Sequence, residues 1–341
     1  MARTPSIFIT GASGEIGQAL IRHLATPAAK PVITLDINPL PSQLACRVRK
    51  EFTGSILDHA LMERILAEYE VDRIFHLAAL LSTRSEFSPA LAHKVNVEGT
   101  LNLLEFAQHQ GESHGRRVGF FYPSSIAAYG MPDLATKEAA GAVTESQWNE
   151  PRTMYGANKL YCEHLGRYYD RYYRQLGVGG PSGMVDFRCM RFPGLISAVT
   201  VPSGGTSDFA PEMLHAAARG QPYCSFVRSD TRIPFMVMPD AVDAILRLMA
   251  ADKARLRQAV YNVRGFSVSA AQVETLVRSA FPNATITTVV DQHRQAILDS
   301  WPADVDDHAA REDWGFQPRF DFNAAFHEYL IPGIQQPNST V

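Results

Sequence analysis

The chain has 341 residues, 46% hydrophobic and 20% charged, a globular composition that excludes collagen-like, disordered and coiled-coil readings. Thirty-two basic against thirty-five acidic residues leave a net charge of −3, so no basic surplus points to nucleic acid or an anionic membrane. No apolar run reaches the roughly 18 residues a membrane span needs, and Met1 to Thr10 is too short an apolar run for a secretory leader. A cytoplasmic protein of about two domains is expected. Cys46, Cys162, Cys189 and Cys224 are scattered, with no C-x-x-C pair and no histidine at finger spacing. They read as buried hydrophobes, and no metal site is expected.

In chain order, Ser6 to Thr10 reads as a strand that stops at glycine. Glu15 to Ala25 follows with Ile16, Ala19, Leu20 and Leu24 at helical spacing. Val32 to Asp36 is a second buried strand, and a third ends before Gly54. Asp58 to Tyr69 is a helix with Asp58 placed to cap it. Arg73 to Leu77 is a strand, Ala90 to Gln108 a long helix, Val118 to Tyr122 a strand, Thr153 to Gln175 a helix and Asp186 to Phe192 a strand. Alternation of this kind predicts an α/β fold with a doubly wound parallel sheet. The rhythm breaks after Phe192, where Pro193-Gly194 and the stretch Pro202 to Gly205 mark a long loop. A smaller, mixed domain is expected beyond it. Gly111–Arg117 and Gly177–Gly183 read as exposed loops.

Gly11-Ala-Ser13-Gly14-Glu15-Ile16-Gly17 lies between the first strand and the first helix. Gly11 permits a tight turn, Gly14 lets backbone approach a diphosphate at the helix N-terminus, and Gly17 permits close helix–strand contact. Asp36 ends the second strand, where a carboxylate can hydrogen-bond a ribose 2′-hydroxyl and repel a 2′-phosphate. The motif therefore predicts a Rossmann-type site for NAD rather than NADP. Ile56 and Asp58 follow the third strand, and Leu77, Ala78 and Ala79 follow the fourth, at carboxyl ends where open α/β sheets bind ligands. Asp58 serves there as an adenine contact or simply as a helix cap.

Tyr155 and Lys159 are four residues apart on a predicted helix, hence on one face. An ammonium beside a phenol stabilises phenolate, which makes Tyr155 a credible proton acceptor for an alcohol. Ser124 and Ser125 end the fifth strand, and a hydroxyl there can bond the substrate oxygen beside Tyr155. The remaining tyrosines of that helix (Tyr161, Tyr168, Tyr169, Tyr172, Tyr173) read as packing or a subunit interface.

Taken with Asn96-Val-Glu-Gly-Thr100, Arg191-Phe-Pro-Gly194 and Asp313-Trp-Gly-Phe-Gln-Pro318, these features resemble the extended short-chain dehydrogenase/reductase superfamily over nearly the whole chain. Within it, Tyr122 to Gly130, Arg191 to Ser197, Gly204 to Phe209, Thr231 to Asp240 and Ser300-Trp-Pro302 resemble the short-chain type of L-threonine 3-dehydrogenase. The resemblance implies oxidation of L-threonine to 2-amino-3-oxobutyrate, with hydride passing to NAD and no metal. It implies Tyr155 as base, Lys159 as its electrostatic partner and ribose contact, Ser125 as hydroxyl donor and Asn96 in a proton relay. It places Ser82, Ser124 and Thr206 around the amino-acid head group and Trp301 over the site. Ser82 can equally be a loop hydroxyl, Trp301 domain core, and Asn96 a polar residue in a packing helix. Cofactor contacts are implied for Ser13, Glu15, Ile16, Asn96 and Pro193 beside those already named.

The implied domains are 1–192 for NAD, with a return around 239–266, and 193–238 with 267–341 for substrate. The implied assembly is a homodimer through Ala90–Gln108 and Thr153–Gln175. The sequence departs from the family at Ser203-Gly-Gly-Thr-Ser207, where the last hydroxyl is serine, and in the two lengthened loops. Two competing readings remain. One is a nucleotide-sugar epimerase or dehydratase using Arg228, Arg232 and Arg264 on a diphosphate. The other is a cofactor-binding regulator that has lost its chemistry.

Overall fold

The computed structural model describes residues 3–26, 29–178, 182–200 and 205–335. Met1 and Ala2, the centre of the expected loop at Gly179 to Pro181, and Ser203 and Gly204 of the glycine–threonine segment lie outside the described residues.

Strands β1 (Thr4–Thr10), β2 (Val32–Asp36), β3 (Lys50–Thr53), β4 (Tyr69–His76) and β5 (Val118–Ser125) come from the alternating part of the chain. The short β6 (Ala142–Val143) leaves the sheet and β7 (Val185–Phe192) rejoins it. Beyond β8 (Gly194–Ile196), β9 (Tyr223–Ser225) and β10 (Arg232–Val237), the chain returns as β11 (Val260–Asn262) beside β7. The sheet is parallel throughout, in the order β11-β7-β5-β4-β1-β2-β3. The fold is thus the expected Rossmann-type α/β arrangement. The direction of winding reverses between β1 and β4, which opens the ligand crevice at their carboxyl ends. Inner strands are covered on both faces, so their sequences are continuous apolar runs; Phe8, Ile9, Phe120 and Phe121 have no exposed surface.

The second lobe is built on β12 (Phe266–Ser269), antiparallel to β10, with β8 parallel on the other side. β13 (Ile286–Thr288) pairs with β9, and β14 (Asp304–Val305) pairs with β6. Its core gathers Phe209, Phe235, Trp301 and Phe326, and Tyr155 packs against the edge of that core.

Several expected boundaries move. β4 begins at Tyr69, so the preceding helix is His59–Glu68, and Asp58 caps it by accepting from the Leu61 amide at 3.0 Å. The long helix starts at Pro89, opens into a π-helical turn at Lys94–Glu98 and continues from Gly99 to His114. The expected loop at Gly111–Arg117 is therefore mostly helix, ending at Gly115 with φ 72°. Gly111 is buried because a Cβ there would lie 2.4 Å from Met184 Cβ. Close packing, which propensity does not register, holds a weak helix former in the helix. Cys162 and Cys189 are buried as expected, whereas Cys46 and Cys224 are exposed on segments outside the main sheet core. No described helix is long and apolar enough to cross a membrane.

Candidate active site

The glycine-rich turn lies directly against the segment after β4. Gly11 has φ 68°, and a Cβ on it would sit 2.5 Å from the Ala78 nitrogen, so no other residue fits. Gly14 caps the helix Glu15–Leu24 with extended backbone and no side-chain bond. First-turn amides are left for an anion, with the helix dipole favouring negative charge. Asp36 closes the cradle from the end of β2, accepting from the Ser13 and Asn38 amides at 2.9 Å each. A backbone cradle that a Cβ would fill, ending in a carboxylate, fits the diphosphate and adenosine ribose of NAD.

Ile16 packs into the core beneath the cradle, and Gly17 lies against the Gly11 carbonyl. Leu77 and Ala78 donate their amides to Thr10, and Ala79 continues the same half-buried segment. Ile56 is buried against Gly99, and Pro193 is buried just beyond β7. Glu15 behaves differently: its carboxyl reaches across to Ser197 and Thr200 of the second lobe, and burial pushes it upward.

The helix Met154–Arg171 begins at Thr153, whose hydroxyl accepts from the Gly156 amide at 3.0 Å. A Cβ on Gly156 would fall 2.0 Å from the Ala127 carbonyl oxygen. The turn carrying Tyr155 is thus pressed onto the 3₁₀ turn Ile126–Ala128. Ser125 caps that turn, its half-buried hydroxyl accepting from the Ala127 amide at 3.1 Å. Lys159 Nζ donates to the Pro123 carbonyl at 2.6 Å and lies 5.4 Å from the centre of the Tyr155 ring. Ser125, Tyr155 and Lys159 therefore converge beyond β5.

Burial governs the electrostatics of both ionisable groups. Burial pulls Lys159 down to about 8, and burial pushes the Tyr155 phenol above its ordinary value. Desolvation, which disfavours any charged form, acts on both.

Ser124 is also placed differently from expectation. Neighbouring strand residues face opposite ways, and the Ser124 hydroxyl is buried, donating to Glu163 Oε1 at 2.5 Å. Glu163 holds Arg191 through a bidentate pair at 2.8 and 2.7 Å, with the guanidinium 4.5 Å from the Tyr129 ring centre. This network was not anticipated from sequence. Its signal was an acid on the same helix face as Lys159 and an arginine inside the apolar strand β7.

Asn96 sits in the π turn and pins the chain after β4. Its side-chain oxygen accepts from the Leu80 amide at 2.7 Å, and its amide donates to the Leu80 carbonyl at 3.1 Å. Its backbone carbonyl accepts from Thr100 at 2.6 Å. These bonds position the Leu80–Ser82 segment, where the resemblance implied a proton relay. Because the Thr100 hydroxyl donates to Asn96, His76 Nε2–H donates to Thr100 (3.0 Å) and Nδ1 accepts from Thr10 (2.8 Å). Burial pulls His76 down to about 3, with Lys159 contributing. It is a neutral strut linking β1, β4 and the long helix.

Across the crevice, the Thr206 hydroxyl donates to Ser82 Oγ at 3.2 Å, bringing the two expected substrate residues together from separate lobes. Trp301 is 4% exposed within the second-lobe core, so it lies beneath the site wall rather than as an open cover. Its neighbour Ser300 accepts from the Met131 amide at 2.7 Å, tying that core to the chain beyond Ser125.

Residues 7–263 match the NAD dependent epimerase/dehydratase family. The sequence is 35% identical over 98% of its length to an uncharacterized epimerase/dehydratase of Staphylococcus aureus, of which it covers 98%. Among solved structures, L-threonine dehydrogenase from Clostridium difficile superposes with TM-score 0.84 at 30% identity, over 99% of this chain and all of that one. A monomeric L-threonine 3-dehydrogenase from a metagenome superposes at 0.83 with 33% identity, over 98% of this chain and all of that one. A nucleoside-diphosphate-sugar epimerase from Agrobacterium tumefaciens shares the fold at 0.78 and 20% identity, over 99% and 95% of the two chains.

Proposed function

Because the chain belongs to the NAD dependent epimerase/dehydratase family, we propose that it is a cytoplasmic, NAD-linked oxidoreductase acting on L-threonine. The reaction is oxidation of the C3 hydroxyl to give 2-amino-3-oxobutyrate. The observation that carries this reading is the convergence of Ser125, Tyr155 and Lys159 opposite the Ser82–Thr206 contact. The similarity to L-threonine dehydrogenases at 30–33% identity supports the substrate.

Tyr155 takes the hydroxyl proton, and Ser125 donates a hydrogen bond to the substrate oxygen. NAD supplies the hydride acceptor for the hydrogen on C3. Lys159 in its protonated form favours the phenolate as it forms. Ser82 and Thr206 hold the amino-acid head group, and Asn96 fixes Ser82 through Leu80.

The nucleotide-sugar alternative is weakened by its own arginines. Arg228 is bound to Asp299 and Asp230, Arg232 to the Ser267 carbonyl and Gln272, and Arg264 to Asp304 and the Val305 carbonyl. Each of the three already has a partner within the second lobe.

We further propose a homodimer through the long-helix pair, where Leu91, Leu101, Tyr161, Tyr168 and Tyr172 are exposed. The solution mass by light scattering tests it, a monomer mass being the refuting result. The activity is tested by NADH release with L-threonine, run beside D-threonine, L-serine, UDP-glucose and NADP. Steady release with L-threonine and NAD alone is expected. Silence with threonine would overturn the substrate while leaving fold and cofactor in place.

A further inference from the structure

Glu15 places an acid where the cofactor's own negative charge must dock. It is the first residue of the helix Glu15–Leu24, directly after the capping Gly14. An empty helix N-terminus welcomes a carboxylate. A diphosphate bound at the same amides brings further negative charge to the same few ångströms. Two anionic groups sharing one site cannot both remain ionised at ordinary cost.

An exposed glutamate would swing into water. Glu15 is half-buried instead. Ser197 and Thr200 face it from the chain beyond β8, Asp208 from the turn before the helix Phe209–Ala218, and Tyr329 from the C-terminal helix. The only charged group among these facing residues is another carboxylate. One oxygen, Oε1, is buried without any hydrogen-bond partner among the described residues. A carboxylic acid would suit this pocket better than a carboxylate, because its O–H can donate to a hydroxyl or phosphate oxygen.

We infer that Glu15 takes up one proton from solvent as the cofactor diphosphate binds, so that NAD binding is proton-coupled at this residue. The same residue joins the glycine-rich turn to the second lobe. Its protonated form removes repulsion on both sides, toward the diphosphate and toward Asp208. The inference rests on the cofactor site and is independent of which substrate is oxidised.

The test is NAD titration calorimetry on the full chain from about pH 5.5 to about pH 8, in pairs of buffers with different ionisation heats. The wild type should take up between zero and one proton. Its affinity should fall by up to about tenfold per pH unit as pH rises through the coupled range. Glu15→Gln should take up none and bind with a flat profile, tighter than wild type at the alkaline end. Glu15→Ala repeats the comparison should the glutamine variant melt early. Zero proton uptake by the wild type, or equal uptake in wild type and variant, overturns the inference even though NAD binds. Failure of the wild type to bind NAD overturns the cofactor site and the inference with it.

Discussion

Replacing Gly156, the residue after Tyr155, by alanine adds only one methyl group, and it should disable the site. The new Cβ would lie 2.0 Å from the Ala127 carbonyl oxygen, 2.8 Å from the Ala127 carbonyl carbon and 2.9 Å from Pro151 Cβ. Contacts under 3.0 Å are not tolerated, so the helix and the 3₁₀ turn must separate by at least 1 Å. That movement carries Tyr155 away from Ser125, since each sits on one of the two turns. A misplacement of about 1 Å costs on the order of 10²-fold in rate. Overpacking costs roughly 1–3 kcal/mol of stability besides. The assay is NADH release under saturating L-threonine and NAD, with a thermal melt to confirm folding and a titration for NAD affinity. The expected pattern is a fall in kcat of about 10²-fold and a far smaller change in NAD affinity, which the glycine-rich turn sets. Turnover close to wild type would show that the pressed turns do not fix the distance between phenol and serine.

Tyr155→Phe should abolish most turnover while leaving NAD binding and the melting temperature nearly unchanged; substantial residual kcat would remove Tyr155 as the base. Glu163→Ala leaves the Arg191 guanidinium buried without its partner and should cost about 3–5 kcal/mol in chemical denaturation, whereas an ordinary denaturation curve would mean water reaches Arg191. His76 contributes a pH dependence of definite sign. Its folded value, near 3, lies below the unfolded 6.5, so its stabilisation is complete above pH 6.5 and is lost as pH falls. The loss should reach about 2 kcal/mol by about pH 5, and a His76→Gln variant should lack that part of the slope. Asp36→Ala should improve NADP binding relative to NAD, as read by parallel titration; an unchanged preference would move the discrimination elsewhere.

The parts of this protein legible in sequence are those whose physics is local. Gly11, Gly14 and Asp36 announced their crevice because a turn, a helix end and a strand end each impose their own residue type. The apolar strands β1, β2, β5 and β7 were visible because burial on both faces leaves no polar positions. Ser125, Tyr155 and Lys159 could be grouped from sequence because helix spacing and a strand terminus fix their relation. What escaped was decided by distant neighbours. The direction of the Ser124 hydroxyl depends on Glu163, which follows it by 39 residues. Gly111 remains helical because Met184 leaves no room for a side chain. The depth of Trp301 depends on a core assembled from elements distant in sequence, from Ile126 to Phe326. The π turn at Lys94–Glu98 has no local signature at all, because Asn96 and Thr100 are anchored to Leu80 and His76 at the end of β4, distant in sequence.

That wide turn has a consequence for the helix as a rotating shaft. Each residue of an ordinary α-helix turns the side-chain direction by about 100°. Asn96 must point at Leu80 while Thr100 meets His76, and the looser winding between them sets the angle at which both are met. Winding the same five residues as regular α-helix would add rotation between the two grips and turn one half of the shaft against the other. One of the two grips would then swing away from its partner. The wider turn works as a phase adjuster, letting a single rod engage the chain after β4 at one angle and the floor of the crevice at another.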